Sequence, residues 1–153
     1  MKIIGILLTS MLIFSACNKD DILELLPEMS ATIDGSEWKS ITRITFQEDG
    51  KFNITGTSAP GETMNITVFG TTAGTYELSV LSPKCAAVYK ESVETVLDDA
   101  YLAFSGSVDL SEVNSSNKTI TGTFNFSVVS LTDTISITNG KFSGIKYTVK
   151  SGS

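Results

Sequence analysis

Apolar and polar residues alternate through most of the chain from Met29 onward, and Thr, Ser and Asn fill most of the intervening positions. Successive side chains of a β-strand point to opposite faces, so a period of two indicates strands with one buried and one solvated face. The pattern predicts an all-β domain over residues 29–153, with about eight to ten short antiparallel strands in a sandwich or a flattened barrel. The positions expected on buried faces are Phe52, Ile54, Met64, Ile66, Val68, Tyr76, Leu78, Val80, Leu102, Phe104, Gly106, Val108, Leu110, Ile120, Gly122, Phe124, Phe126, Val128, Ile135, Ile137, Ile145, Tyr147 and Val149.

Three dipeptides between these segments predict tight hairpins. They are Asp34-Gly35, Asp49-Gly50 and Asn139-Gly140, and a two-residue type I′ turn requires a positive φ at both central residues. Residues 59–61 and 111–118 are predicted to be longer loops. These turns divide the alternating segments into antiparallel neighbours.

One segment of the domain leaves two structures open. Tyr89–Asp99 has apolar residues at helical spacing, but its acidic residues suit an exposed hairpin tip equally well. We favour the hairpin, and a short helix remains the alternative.

A charged and then apolar segment precedes the domain. Lys2 provides the positive charge, Ile3–Phe14 is mostly apolar, and the small residues Ser15 and Ala16 follow. The segment is too short to cross a membrane as a helix, which needs about 20 apolar residues. Its organisation is typical of a cleaved secretory signal peptide, which we place at residues 1–16.

Cys17 directly follows the small pair, and the pattern resembles the lipobox of bacterial lipoproteins, although Phe14 stands where that motif prefers Leu. The resemblance implies that the signal is cut before Cys17, that its thiol receives a diacylglyceryl group and its amino group a further acyl chain such as palmitate, and that residues 17–28 form a lipid-anchored tether. Two or three acyl chains give stable membrane anchoring where one is marginal. A simple secretory signal, with Cys17 present by chance, is the alternative.

The tether begins with Lys19, Asp20 and Asp21. This run resembles the export signal of Bacteroidota lipoproteins, in which acidic residues lie close to the acylated cysteine. The resemblance implies a lipoprotein of the outer membrane whose domain faces the cell surface. A charged, solvated spacer is the alternative.

Composition limits the partners of the mature chain. Removal of residues 1–16 from 153 leaves 137 residues, enough for one domain with a real core. Loss of Lys2 leaves 10 basic and 17 acidic side chains, a net charge of −7, which argues against nucleic acid because its binding depends on Lys and Arg. Cys85 is the remaining cysteine, and we predict that it is a small buried apolar residue.

Histidine is absent from the entire sequence. Ser–His and Cys–His nucleophilic pairs and histidine-ligated zinc are therefore excluded. The loop Gly56–Gly61 places its second glycine one residue late for a nucleophile elbow. We predict a protein that is not an enzyme and that has no cofactor.

Acidic residues suggest two further kinds of site. Asp98 and Asp99, with Glu91 and Glu94, could act as paired carboxylates for glycoside hydrolysis, which needs two such groups about 5–10 Å apart. The same acids could hold Ca²⁺ through oxygen ligands, but they lack the spacing of a calcium loop. We favour a solvated acidic tip over both. A second candidate set for Ca²⁺ is Asp109, Glu112, Asn114 and Asn117.

Two single residues are candidates for a functional role. Trp38, the only tryptophan, follows the first tight turn, and we favour a core position over stacking on a sugar. Asp133-Thr134-Ile135 resembles the acceptor of Bacteroidota protein O-glycosylation, so Thr134 is a candidate for that modification.

The chain as a whole resembles a family. The segments 31–38, 74–78, 120–126 and 137–142, together with the lipobox signal, are similar to small Bacteroidota lipoproteins with a domain of unknown function. The resemblance covers nearly the whole chain and implies an all-β fold and a membrane address. It implies no catalytic residue, because the family has no assigned activity.

Three functions follow from these observations. The first is a non-catalytic binding or interaction module on the cell surface, with an unknown protein or glycan ligand held by loops at one end of the domain. The second is a carrier of a small apolar ligand, because barrels of about eight strands can hold one. The third, an enzyme, is disfavoured by the missing histidine.

Overall fold

The computed structural model describes residues 28–92, 94 and 100–151. Within this range no helix is long and apolar enough to span a membrane. The described chain forms ten strands, which confirms the all-β prediction. They are β1 (Glu28–Ile33), β2 (Ser36–Glu48), β3 (Lys51–Ser58), β4 (Thr63–Val68), β5 (Gly74–Glu77), β6 (Cys85–Lys90), β7 (Tyr101–Asn114), β8 (Thr119–Val129), β9 (Thr134–Lys146) and β10 (Thr148–Val149).

Eight of these strands close into an antiparallel barrel. Around the barrel the order is β1, β2, β3, β4, β6, β7, β8 and β9, and β9 pairs with β1 to close it. The two short strands lie outside this circle: β5 pairs with the second half of β7, and β10 pairs in parallel with β2. Within this circle, strands that follow one another along the chain are thus neighbours in space, which is the arrangement that tight turns favour. The flattened barrel is the correct member of the predicted pair of architectures.

Large side chains occupy the barrel interior. The alternation places one face of each strand inside, and the side chains there include several that are fully buried. Aromatic rings contact one another across the core, with centroids 6.1 Å apart for Phe124 and Phe142 and 5.0 Å apart for Phe52 and Tyr147. The largest fully buried side chains are Trp38, Phe52, Phe142, Met29, Ile54 and Met64.

Two of the three predicted hairpin turns are confirmed. Asp34-Gly35 joins β1 to β2 and Asp49-Gly50 joins β2 to β3, with positive φ at all four residues. The prediction for Asn139-Gly140 is wrong, because this pair lies inside β9. Asn139 alone has a positive φ, of 50°, and the pairing with β8 shifts register there, so the dipeptide forms a β-bulge.

A second bulge corrects the face assigned to part of β7. Leu102 and Phe104 are 49% and 51% exposed, whereas Val108 is fully buried. The register with β8 shifts between Ala103 and Ser105, and one extra residue moves every earlier side chain to the opposite face. Leu102 and Phe104 therefore point outward, contrary to the prediction from strict alternation.

Two further residues predicted on buried faces are exposed. Val80 lies in the connection after β5, which ends at Glu77, and Val149 lies in β10 at the outside of the barrel. In both cases the observed strand is shorter than the alternating segment of the sequence. The remaining apolar predictions for β3, β4, β8 and β9 are confirmed as buried.

The strand directions define two ends of the barrel. The mouth end, as we name it, carries the β1–β2 turn, the β3–β4 connection, the end of β6 with the start of β7, and the β8–β9 connection. The tether end, as we name it, carries the β2–β3 turn and the β7–β8 turn. β1 begins towards the tether end, where Glu28 pairs with Ser143, and runs to the mouth end. Glu28, the first described residue, is therefore the residue of β1 farthest from the mouth end.

Candidate functional site

The mouth end holds an open depression of about 260 Å³. We call it the acidic mouth, because five carboxylates line it together with three aromatic side chains. Among the described residues, its lining includes no lysine or arginine. The carboxylates are Asp34, Glu37, Glu62, Glu91 and Asp133, and the aromatic residues are Trp38, Tyr89 and Tyr101.

Two buried tyrosines hold two of the carboxylates in place. The Tyr89 hydroxyl donates to Glu62 Oε1 at 3.1 Å, and Ser58 Oγ donates to Glu62 Oε2 at 2.9 Å. The Tyr101 hydroxyl donates to Glu91 Oε1 at 3.5 Å. Glu62 is thus oriented from both sides, and Glu91 is oriented from the barrel wall.

Burial raises the pKa of Tyr89, and the nearby Glu62 carboxylate raises it further. The pKa of Tyr101 is raised in the same way, first by burial and then by Glu91. Both changes favour the neutral phenol. The two hydroxyls therefore remain donors to the carboxylates at neutral pH.

Trp38 forms part of the wall of the acidic mouth and is only 2% exposed. Its six-membered ring reaches the barrel interior beside Gly56, where an added Cβ would lie 2.9 Å from Trp38 Cη2 and 2.7 Å from Met29 Sδ. Glycine at position 56 therefore provides the space for the indole. The predicted core position is confirmed, and stacking on a sugar is wrong for this conformation because the ring is covered.

The indole Nε1 of Trp38 has no hydrogen-bond partner although it is buried. Among the described side chains, the other buried polar atom without a partner is Thr45 Oγ1. An unpaired buried donor costs about 1–3 kcal/mol. Trp38 Nε1 is thus an unsatisfied donor, closed to solvent, on a residue of the mouth wall.

The second candidate set for Ca²⁺ is not gathered into one site. Asn114 Oδ1 accepts from the backbone N–H of Asn117 at 2.9 Å, and Asp109 Oδ1 accepts from Thr75 Oγ1 at 3.1 Å. Across residues 28–92, 94 and 100–151, no group of three or more acidic or cysteine side chains could hold a metal ion. These oxygens stabilise a turn and a strand pair.

The other residues singled out from the sequence have different outcomes. Glu91 belongs to the acidic mouth and Glu94 is exposed, but Asp98 and Asp99 lie outside the described residues. Tyr89 belongs to β6, and the choice between helix and hairpin for the rest of 89–99 stays a prediction. The anchor and export residues Cys17, Lys19, Asp20 and Asp21 also lie outside the described part.

Three single-residue predictions can be placed. Cys85 is fully buried, as predicted, and its Sγ donates to the Tyr76 carbonyl at 3.2 Å. Thr134 is exposed at the start of β9, where its backbone N–H donates to Asp133 Oδ1 at 2.7 Å, and its glycosylation stays a prediction. Gly56 lies within β3, so the glycine-rich segment 56–61 is the end of a strand and a turn.

Sequence reasoning did not identify the acidic mouth. Its five carboxylates come from four connections and one strand, which are spread along the chain. A signal was present, because in a meander every second turn lies at the same end of the barrel. The acids at 34–37, 62, 91 and 133 follow that rule.

Residues 26–146 match the family described as Domain of unknown function (DUF6252). The chain belongs to the DUF6252 family. The DUF6252 match includes β1 to β9 and every residue that lines the acidic mouth. Comparison with curated proteins and with solved structures found no match. The resemblance to a domain-of-unknown-function family is thus confirmed, whereas the Bacteroidota origin and the lipobox stay predictions.

Proposed function

We propose that this DUF6252 protein is a non-catalytic binding module that a lipid at Cys17 anchors to the outer membrane, with its domain on the cell surface. The acidic mouth is the observation that carries the proposal. It combines five like-charged carboxylates, which no basic side chain of the described lining neutralises, with a buried indole N–H that lacks a partner. The ligand binds at the mouth end.

The direction of β1 supports this arrangement. The tether joins β1 at Glu28, towards the tether end, so an anchored domain presents the acidic mouth away from the membrane. Lys51, Lys118 and Lys146 lie in or beside the turns of the tether end together with Glu48 and Asp49, whereas the described lining of the acidic mouth has no basic side chain. An anionic membrane surface repels the acidic mouth, which favours the same orientation.

The non-catalytic character rests on the side chains available. The sequence has no histidine, and the tyrosines of the mouth are held as neutral donors by their raised pKa values. A mouth of fixed carboxylates and donors is suited to holding a ligand rather than to transferring protons near neutral pH.

Anchoring and display have separate tests. Cys17→Ala should abolish acyl labelling and leave an uncleaved precursor, whereas normal processing to a soluble form would favour a simple secretory signal. Replacement of Asp20 and Asp21 by Ala should protect the domain from protease added to intact cells, at equal expression and acylation. Equal protection of both proteins would place the domain in the periplasm.

Binding at the mouth can be tested without knowledge of the ligand. A photo-crosslinking amino acid is placed at Ser36 in the acidic mouth, or at Ser116 in the β7–β8 turn as the matched control, since both serines are exposed. Irradiation of producing cells should give crosslinked products from position 36 and none from position 116. Equal yields from the two positions would refute a ligand site at the mouth.

A carrier of one small apolar ligand is the second candidate, and the closed barrel of eight strands favours it. Native mass spectrometry of protein from the source organism distinguishes the two. A carrier should retain a small molecule, whereas a module with a ligand at the mouth alone should show the mass of the acylated chain.

A further inference from the structure

The charge of the acidic mouth selects a cationic ligand. Asp34, Glu37, Glu91 and Asp133 are exposed, and the described lining supplies no basic side chain to neutralise them. The two ion pairs of the described chain join Glu28 to Lys39 and Lys141, away from this end. An ammonium or guanidinium group is the complement of such a surface.

The unpaired indole adds a second requirement. Trp38 is almost completely buried in the mouth wall, and Nε1 can only donate. Because Nε1 is buried, a ligand reaches it only if the surrounding wall shifts, and such a ligand must bring an acceptor oxygen together with its cation. A lysine or arginine residue within a peptide has both, because its backbone carbonyl lies within reach of its own charged side chain.

An apolar surface continues from the mouth along the outside of the barrel. Leu102 and Val129 face each other across β7 and β8, and Phe104 lies on the same outer face. Leu131, which is 85% exposed, follows in the β8–β9 connection and lines a depression together with Glu91 and Tyr101. We call these four apolar residues the outer patch. Contiguous exposed apolar surface of this kind marks sites of protein interaction.

We propose that the acidic mouth and the outer patch together bind a basic and partly apolar segment of a partner protein. A lysine or arginine side chain enters the mouth, a carbonyl beside it accepts from Trp38 Nε1, and adjacent apolar side chains cover the outer patch. The inference rests on the proposed binding function and adds the chemistry of the ligand. The mouth alone, at about 260 Å³, is below the roughly 300–1,000 Å³ of typical small-molecule pockets, which favours one side chain of a larger partner.

The test uses the full-length chain purified from producing cells in mild detergent, with the fluorescence of Trp38, the only tryptophan, as the reporter. The probe is the peptide acetyl-Gly-Leu-Lys-Leu-Gly-amide, and its matched control carries Glu in place of Lys. The lysine peptide should bind, and its affinity should fall as NaCl rises from 0.05 to 0.3 M. Its affinity should exceed that of the glutamate peptide by about tenfold or more. Equal affinity for the two peptides would overturn the proposal.

Variants separate the two parts of the surface. The double variant Glu37→Gln with Glu91→Gln should lower the affinity for the lysine peptide about tenfold. The control variant Glu77→Gln with Glu112→Gln changes exposed acids elsewhere on the barrel and should leave the affinity unchanged. Leu131→Ser should weaken it about threefold to tenfold, and Leu81→Ser, at an equally exposed leucine far from the mouth, should not. Unchanged melting temperatures show that each variant is folded. Equal effects of a variant and its control would contradict the assigned surface.

Two further measurements complete the test. N-acetyl-lysine methylamide should bind at least tenfold more weakly than the peptide. Equal affinity would indicate that the ligand is a small cation and not a segment of a partner protein. Selective ¹⁵N labelling gives one indole N–H signal, which the lysine peptide should move downfield, because Nε1 gains an acceptor. An unmoved signal at saturation would remove Trp38 from the site. If crosslinks form at position 36 while the peptide does not bind, the mouth binds a ligand of other chemistry and only this inference falls.

Discussion

Stability at alkaline pH should depend on one buried thiol. Cys85 is fully buried, its Sγ donates to the Tyr76 carbonyl, and burial raises its pKa from 9.0 to about 11. The folded protein therefore keeps the thiol proton at a pH where the unfolded chain releases it. Because the native state binds more protons between pH 9 and pH 11, the free energy of unfolding must fall as pH rises through this window.

The size of the effect follows from the two pKa values. At pH 10 the thiolate of the unfolded chain outnumbers the thiol about tenfold, whereas the folded thiol stays mostly protonated. Cys85 therefore lowers the free energy of unfolding by about 1.4 kcal/mol relative to pH 7.5. Tyr89 and Tyr101 also have raised pKa values and add a further loss at higher pH. On the alkaline side, the free energy of unfolding should therefore be highest below pH 9.

Urea unfolding of a chain that begins at Asn18 measures this directly, because Cys85 is then its only cysteine. The control is Cys85→Ala, which keeps both tyrosines and lacks the thiol. Between pH 7.5 and pH 10 the parent should lose about 1.4 kcal/mol more than the alanine variant. Equal losses for the two proteins would refute the reasoning, since the thiol would then titrate alike in the folded and unfolded states.

Three other predictions concern stability. Gly56→Ala should lower the free energy of unfolding by about 1–3 kcal/mol and change the fluorescence of Trp38, because the added methyl meets Trp38 and Met29; an unchanged urea midpoint would contradict it. Asn139→Val should cost about 1–2 kcal/mol in thermal unfolding while Asn139→Gly is tolerated, because φ is +50° there; equal cost would mean that the bulge does not require this conformation. Glu28→Gln removes both surface ion pairs and should change stability by less than about 1 kcal/mol at 0.15 M salt, and a larger loss in chemical denaturation would show that these pairs are stronger than exposed pairs usually are.

The site shows where prediction from the sequence stops. The sequence indicated Trp38 as a core residue and Cys85 as a buried one, since a lone large aromatic and a lone cysteine between apolar residues are usually inside. It did not join Glu62, Glu91 and Asp133 into one surface. The meander order places their turns at the same end, but only the closure of the barrel brings these turns onto one surface.

Two of the errors of local structure share a physical cause. Asn139-Gly140 has the residues of a type I′ turn, but both sides of the dipeptide pair with β8 and β1, and the ladder permits one residue of positive φ as a bulge. The bulge in β7 in turn moves Leu102 and Phe104 to the outside. A bulge depends on the register of two strands, which alternation along one strand does not encode.

The sequence by itself determined the class of fold, most of the core and two of the tight turns. Alternation with a period of two needs only the geometry of a single strand, and a turn needs only the φ angles of its own residues. The tertiary structure alone decided that β1 pairs with β9 to close a barrel, that β5 and β10 stay outside it, and that acids of distant turns line one depression. These features depend on contacts between residues far apart in the chain, and such contacts are fixed only when all the strands pack around the same core.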